Sequence, residues 1–138
     1  VGVLFIFEKM ERLFGYMGAH WENTMITLSS YQAAALMTAQ YPDLGNNLIY
    51  PALGLAGEAG ETVDKIKKLW RNKGVTSKKQ LSKEDKEELI KELGDVLWYV
   101  AALASEMDTD LAVVATRNIE KLQDRQKRGV IKSRGDNR

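Results

Sequence analysis

The stretch Leu53 to Trp70, LGLAGEAGETVDKIKKLW, and a second one, Leu89 to Met107, LIKELGDVLWYVAALASEM, carry apolar residues at intervals of three and four. That period marks amphipathic helices, and both runs are longer than an ordinary strand. At 100° per residue, with Glu58 at the origin, Glu61 falls at about −60°, while Leu69, Leu55, Ile66, Trp70 and Val63 span about 20° to 140°. With Glu92 at the origin, Asp95 falls again at about −60°, and Leu103, Val96, Leu89, Val100, Leu93 and Leu97 fill about 20° to 140°. Each helix is thus expected to bury one face and to hold an acidic pair at its border.

Outward from these runs, the chain supplies its own punctuation. Pro51 suits the first turns of a long helix and Gly74 its terminating C′ position, so about 25 residues would span ~38 Å. Upstream, Thr27, Ser29 and Ser30 are candidate N-caps for a short helix over Tyr31 to Tyr41 that Pro42 stops, and Asp43, Gly45, Asn46 and Asn47 form a turn. Downstream, Val75 to Leu81 is a polar, basic linker, and Ser82 with Asp85 resembles a capping box. Asp108 or Thr109 caps a last helix that reads to Arg128 and stops at Gly129. No segment alternates like a strand, which predicts an all-α chain: an antiparallel bundle of about four main helices.

Composition narrows the chemistry. The 138 residues are 44% hydrophobic and 28% charged, with 20 Lys+Arg against 19 Asp+Glu, as in one soluble domain. The absence of cysteine excludes disulfides and thiolate chemistry, and a single histidine, His20, nearly excludes multi-histidine metal sites. Chemistry is left to carboxylates, lysines and arginines. From Arg117 to Arg138 eight basic residues meet three acidic ones, so an acidic body joins a basic end; the overall charge of +1 argues against nucleic acid as the ligand. The apolar opening Val1 to Phe7 falls far short of the ~18 residues that span a bilayer and lacks a basic leader. The expectation is a cytoplasmic protein that binds no membrane. Met25 reads as a natural start, which divides the chain into an N-terminal extension (1–24), a helical catalytic domain (25–129) and a basic tail (130–138).

An isolated ExxE in so charged a chain is ordinarily a solvated helix face. Here the pair is duplicated at matching borders, each time with glycine before the second acid (Gly60 and Gly94). Packing the two faces together would gather four carboxyl groups in one cleft. Such groups repel unless a cation intervenes, and an all-oxygen set without histidine suits Mg²⁺, with Mn²⁺ as a substitute, shared with a phosphorylated substrate. Gly54, Gly57 and Gly60 each cost a helix ~1 kcal/mol relative to alanine, which implies close helix packing or clearance beside a ligand. On the last helix Asn118, Lys121 and Arg125 form one stripe that can offer an amide and two cations to phosphate oxygens. Trp98, about 120° from the carboxylate side, predicts a second buried surface and hence an oligomer.

At LGLAGEAGE (Leu53 to Glu61), KELGDVLWYV (Lys91 to Val100) and NIEKLQDRQKRG (Asn118 to Gly129), the sequence resembles the MazG-like members of the all-α nucleoside triphosphate pyrophosphohydrolases. The likeness covers about Leu28 to Asn137 and includes the opening Tyr31, Gln32, Tyr41 and Pro42; Gly57 departs from it, since members often carry a glutamate there. The resemblance implies Glu58, Glu61, Glu92 and Asp95 as Mg²⁺ ligands and Lys121 and Arg125 as phosphate contacts. It also implies Tyr99 beside the nucleobase, Gln32 and Asn118 near base or sugar, and assembly into a homodimer or homotetramer. The expected reaction is hydrolysis of a nucleoside triphosphate, ribo- or deoxyribo-, to monophosphate and pyrophosphate, with Glu61 activating the water. A dUTP- or phosphoribosyl-ATP-type pyrophosphohydrolase and a non-catalytic helical oligomer that binds metal or nucleotide are the alternatives.

Overall fold

The computed structural model describes residues 26–131 and, among them, four helices and no strand: α1 (Leu28–Leu36), α2 (Ile49–Lys73), α3 (Lys83–Glu106) and α4 (Leu111–Lys127), with one 3-10 turn at Lys78–Gln80. The expected extension over 1–24 and residues 132–138 of the basic tail lie outside the described residues.

Local chemistry sets the helix ends. Thr27 opens α1 through a reciprocal box: its hydroxyl accepts from Ser30 N at 3.1 Å while Ser30 Oγ accepts from Thr27 N at 2.9 Å. The helix closes at Leu36, earlier than the expected Tyr41. At that end the Ala35 carbonyl accepts from the Thr38 hydroxyl at 2.7 Å and from Trp98 Nε1 at 3.1 Å. At the start of α2, Asn47 Oδ1 accepts from Ile49 N and Tyr50 N at 3.1 and 3.0 Å, and Pro51 is fully buried in the first turn. Gly74 ends α2 at φ 65°, a left-handed conformation that glycine adopts without strain. Ser82 Oγ accepts from Asp85 N at 3.0 Å to start α3. Asp110, rather than Asp108 or Thr109, caps α4 by accepting from Ala112 N at 2.7 Å, and Gly129 follows its end at φ 70°.

Helices α2 and α3 form an antiparallel pair, joined by Lys73 to Asp85 (2.7 Å) at one end and by Tyr99 over Gly54 at the other. On its opposite side α3 carries α1 and α4. Alanines make that approach close: Ala101, Ala102 and Ala104 are buried with Ala35 and Leu111, and Tyr31, Trp98 and Val100 pack around them. Trp98 therefore packs on α1 of its own chain, donating to Ala35 O and to Thr38 Oγ1 (2.8 Å).

The faces expected to be buried are covered only in part. Leu55 and Leu69 on α2, and Leu89, Val96, Val100 and Leu103 on α3, are partly buried. Farther round the same faces Val63, Ile66 and Trp70 are 64%, 50% and 63% exposed, and Leu93 is 57% exposed. Helix α2 packs chiefly on α3, so its far side has no covering element among the described residues.

Candidate metal centre

The acidic borders of α2 and α3 meet. Glu58 and Glu61, one turn apart, face Glu92, and each offers a carboxylate oxygen within 4.8 Å of the others. Asp95 stands outside this trio as an exposed side chain. It is near enough for its charge to act on Glu58, whose carboxyl is held above the usual range by burial, then by Glu61, Asp95 and Glu92 in turn.

Glu92 is the buried member, 8% exposed. Its Oε1 accepts from Lys65 Nζ at 2.7 Å, whereas its Oε2 is buried with no hydrogen-bond partner. An orphaned carboxylate oxygen is costly unless something completes it. Three carboxylates and no nitrogen or sulfur donor form a set suited to a hard divalent cation, so the residues fit the ion that their pattern implies. Lys65 also reaches Glu88 Oε2 at 3.0 Å, and Glu88 in turn contacts Lys91 Nζ at 2.7 Å. Those two lysines hold the Glu88 carboxyl down to about 2, while Glu92 and Glu88 hold the Lys65 ammonium above its ordinary value.

Sequence reasoning missed Lys65 and Glu88. The signal was present: Lys65 falls at about −20° and Glu88 at about −40° on the two wheels, within the acidic borders.

Tyr99 does lie beside the carboxylates. Burial, followed by Tyr50, Glu58 and Asp95, pushes its phenol upward, and its ring meets Trp98 edge-on at 4.9 Å. The space at Gly54 is occupied by Tyr99, because a Cβ at position 54 would stand within its ring; Gly57, Gly60 and Gly94 have open space where a Cβ would be. Tyr50 extends the aromatic group, stacking on Tyr41 at 4.9 Å.

The remaining candidates lie elsewhere. Gln32 is buried, donating to Ser105 Oγ at 2.8 Å and Thr109 O at 2.9 Å while accepting from Leu111 N at 2.7 Å. That amide joins α1 to the α3–α4 corner, which gives a packing role to the residue expected near base or sugar. Asn118 and Lys121 are exposed on α4, which packs on α1 and α3, whereas the carboxylates line α2 and α3. Arg125 is 7% exposed in the last turn of α4, not an open member of that stripe.

A family model described as the MazG nucleotide pyrophosphohydrolase domain matches residues 51–130, a span that includes all four acidic positions. The chain is also 48% identical over 114 residues to the "Gene 37 protein" of Mycobacterium phage L5, covering 78% of this chain and 96% of that protein. No solved structure matches it significantly.

Proposed function

The chain belongs to the MazG nucleotide pyrophosphohydrolase family, and from that premise we propose that it hydrolyses nucleoside triphosphates, ribo- or deoxyribo-, to the monophosphate and pyrophosphate with Mg²⁺ as cofactor. The observation that carries this reading is the meeting of Glu58, Glu61 and Glu92 around a buried, unpartnered Glu92 oxygen. Glu58, Glu92 and Asp95 are assigned to holding the ion. When bound, Mg²⁺ supplies charge neutralisation for the phosphates and polarises the phosphorus under attack.

Glu61 is the assigned general base, because it is the exposed carboxylate of the trio and can reach a water that Glu92, enclosed by Lys65, cannot. It takes one proton as the water oxygen bonds to the α-phosphorus and the α–β anhydride bond breaks, which leaves pyrophosphate. Lys121 is assigned to the charge on that leaving group and Asn118 to the substrate's polar edge, both side chains being exposed on α4. Tyr99, held against the carboxylates, is assigned to the nucleobase.

Assembly as a homodimer or homotetramer belongs to the same proposal. Leu53, Val63 and Trp70, each more than 60% exposed on α2, are apolar side chains on a helix that only α3 covers extensively among the described residues.

Phosphorus-31 NMR of the purified protein with a panel of nucleoside triphosphates, with and without Mg²⁺, tests the reaction. Metal-dependent monophosphate plus pyrophosphate, abolished by Glu61→Ala, is the expected result. Release of orthophosphate would place the cleavage at another bond and overturn the reading.

A further inference from the structure

On the reading that Glu92 is one of the carboxylates that hold a divalent cation, we propose that Lys65 is a positioning residue of that site: its ammonium clasps one oxygen of Glu92 and so reserves the other for the ion. Lys65 lies on α2, one turn beyond Glu61, and crosses to α3, where its Nζ is 2.7 Å from Glu92 Oε1 and 3.0 Å from Glu88 Oε2. The ammonium is therefore held at two points, and Glu88 is itself steadied by Lys91 at 2.7 Å. Because the two oxygens of a carboxylate are rigidly linked, fixing Oε1 also fixes the plane and direction of Oε2. Oε2 is the atom left buried without a partner. Partners behind a ligand commonly orient it in this way, and their loss costs ten- to a hundred-fold in affinity.

Electrostatics makes the proposal sharp. A positive charge beside a cation site repels the incoming ion. If Lys65 merely neutralised the trio, its removal would tighten metal binding; if it orients Glu92, its removal weakens binding despite the relief of repulsion. The two roles thus predict opposite signs.

The test is Mn²⁺ binding to the nucleotide-free, full-length protein, followed by the EPR signal of the free ion. Lys65→Met keeps the stem and removes the charge, Lys65→Arg keeps the charge, and Glu88→Gln loosens the second anchor of Lys65 without touching the trio. Expected are about a tenfold or greater weakening in Lys65→Met, substantial rescue in Lys65→Arg and a smaller loss of the same sign in Glu88→Gln. In turnover assays kcat should fall with little change in nucleotide KM. Lys65 is one-third exposed, so its replacement should preserve helicity, and Glu88→Gln provides an independent reading if it does not. Unchanged or tighter Mn²⁺ binding in Lys65→Met and Glu88→Gln, with a wild-type protein that binds, overturns the role of Lys65 alone. A wild-type protein that binds no Mn²⁺ overturns the metal reading and this inference with it.

Discussion

The ring of Tyr99 on α3 occupies the place where a side chain at Gly54 on α2 would begin. This contact closes the α2–α3 pair at the end beyond the carboxylates and fixes an aromatic ring beside them. Gly54→Ala gains ~1 kcal/mol of helix propensity but must displace a ring already packed on Trp98, at an overpacking cost of ~1–3 kcal/mol. A lower melting temperature is expected. In a Tyr99→Ala background the same substitution should instead be stabilising, since the ring is gone and only the propensity gain remains. Thermal melts of the four proteins decide it; a Gly54→Ala cost that persists without Tyr99 would refute the relationship.

Gln32 offers a different separation, between folding and ligand contact. Gln32→Leu conserves approximate volume but leaves the buried Leu111 N–H without its side-chain acceptor and removes the donor to Thr109 O and Ser105 Oγ. A loss of ~1–3 kcal/mol in urea unfolding is expected, with nucleotide KM unchanged in the folded fraction. A raised KM at undiminished stability would return Gln32 to the substrate.

These two residues show what the sequence could and could not carry. Helix periodicity is local, and so are caps: Gly74 at its left-handed φ and Ser82 over Asp85 stand where their residue types place them. The acidic borders were legible for the same reason, because i, i+3 spacing fixes a helix face without knowledge of its neighbour. Partners across helices were not. Nothing local tells that Trp98 donates to Ala35 O, that Gln32 spans three elements, or that Glu92 rather than Glu58 is the buried acid. The apolar faces illustrate the same limit: periodicity marked Val63, Ile66 and Trp70 for burial, but not whether their own chain would cover them.

These α2 side chains, exposed among the described residues, yield a prediction about assembly. Val63→Asp places a charge in the middle of the α2 surface formed by Leu53, Val63 and Trp70, where the side chain is 64% exposed in the protomer. In an isolated chain the change should be nearly neutral, as surface substitutions usually stay within ~0.5 kcal/mol. In an oligomer the carboxylate must be desolvated at the interface, and self-association should weaken at least about tenfold. Sedimentation should show the mass falling towards that of the protomer while the helical signal is kept. An identical mass for both proteins would exclude this surface as the contact.

Glu106 connects stability to pH at the opposite end of α3. Its Oε1 accepts from the Tyr41 hydroxyl at 2.6 Å and from Gly45 N at 3.0 Å, and its Oε2 accepts from Asn47 N at 2.7 Å, so one carboxylate anchors the loop that leads into α2. Burial raises the Glu106 carboxyl, but the hydrogen bonds from Tyr41, Asn47 and Gly45 outweigh it and leave the group below its ordinary value. The sign follows from linkage. An acid with a depressed native pKa contributes stability that is fully present above the unfolded value of ~4.3 and is lost as pH falls through the native one. Glu106→Gln should therefore cost ~1–3 kcal/mol at pH 7, as expected for loss of hydrogen bonds to a charged acceptor. The gap from wild type should narrow steadily below pH ~4, as the wild-type carboxylate is protonated and the glutamine is not. Urea melts of both proteins at neutral and acidic pH measure that gap, and a gap independent of pH would show that the charge on Glu106 contributes nothing to holding the loop.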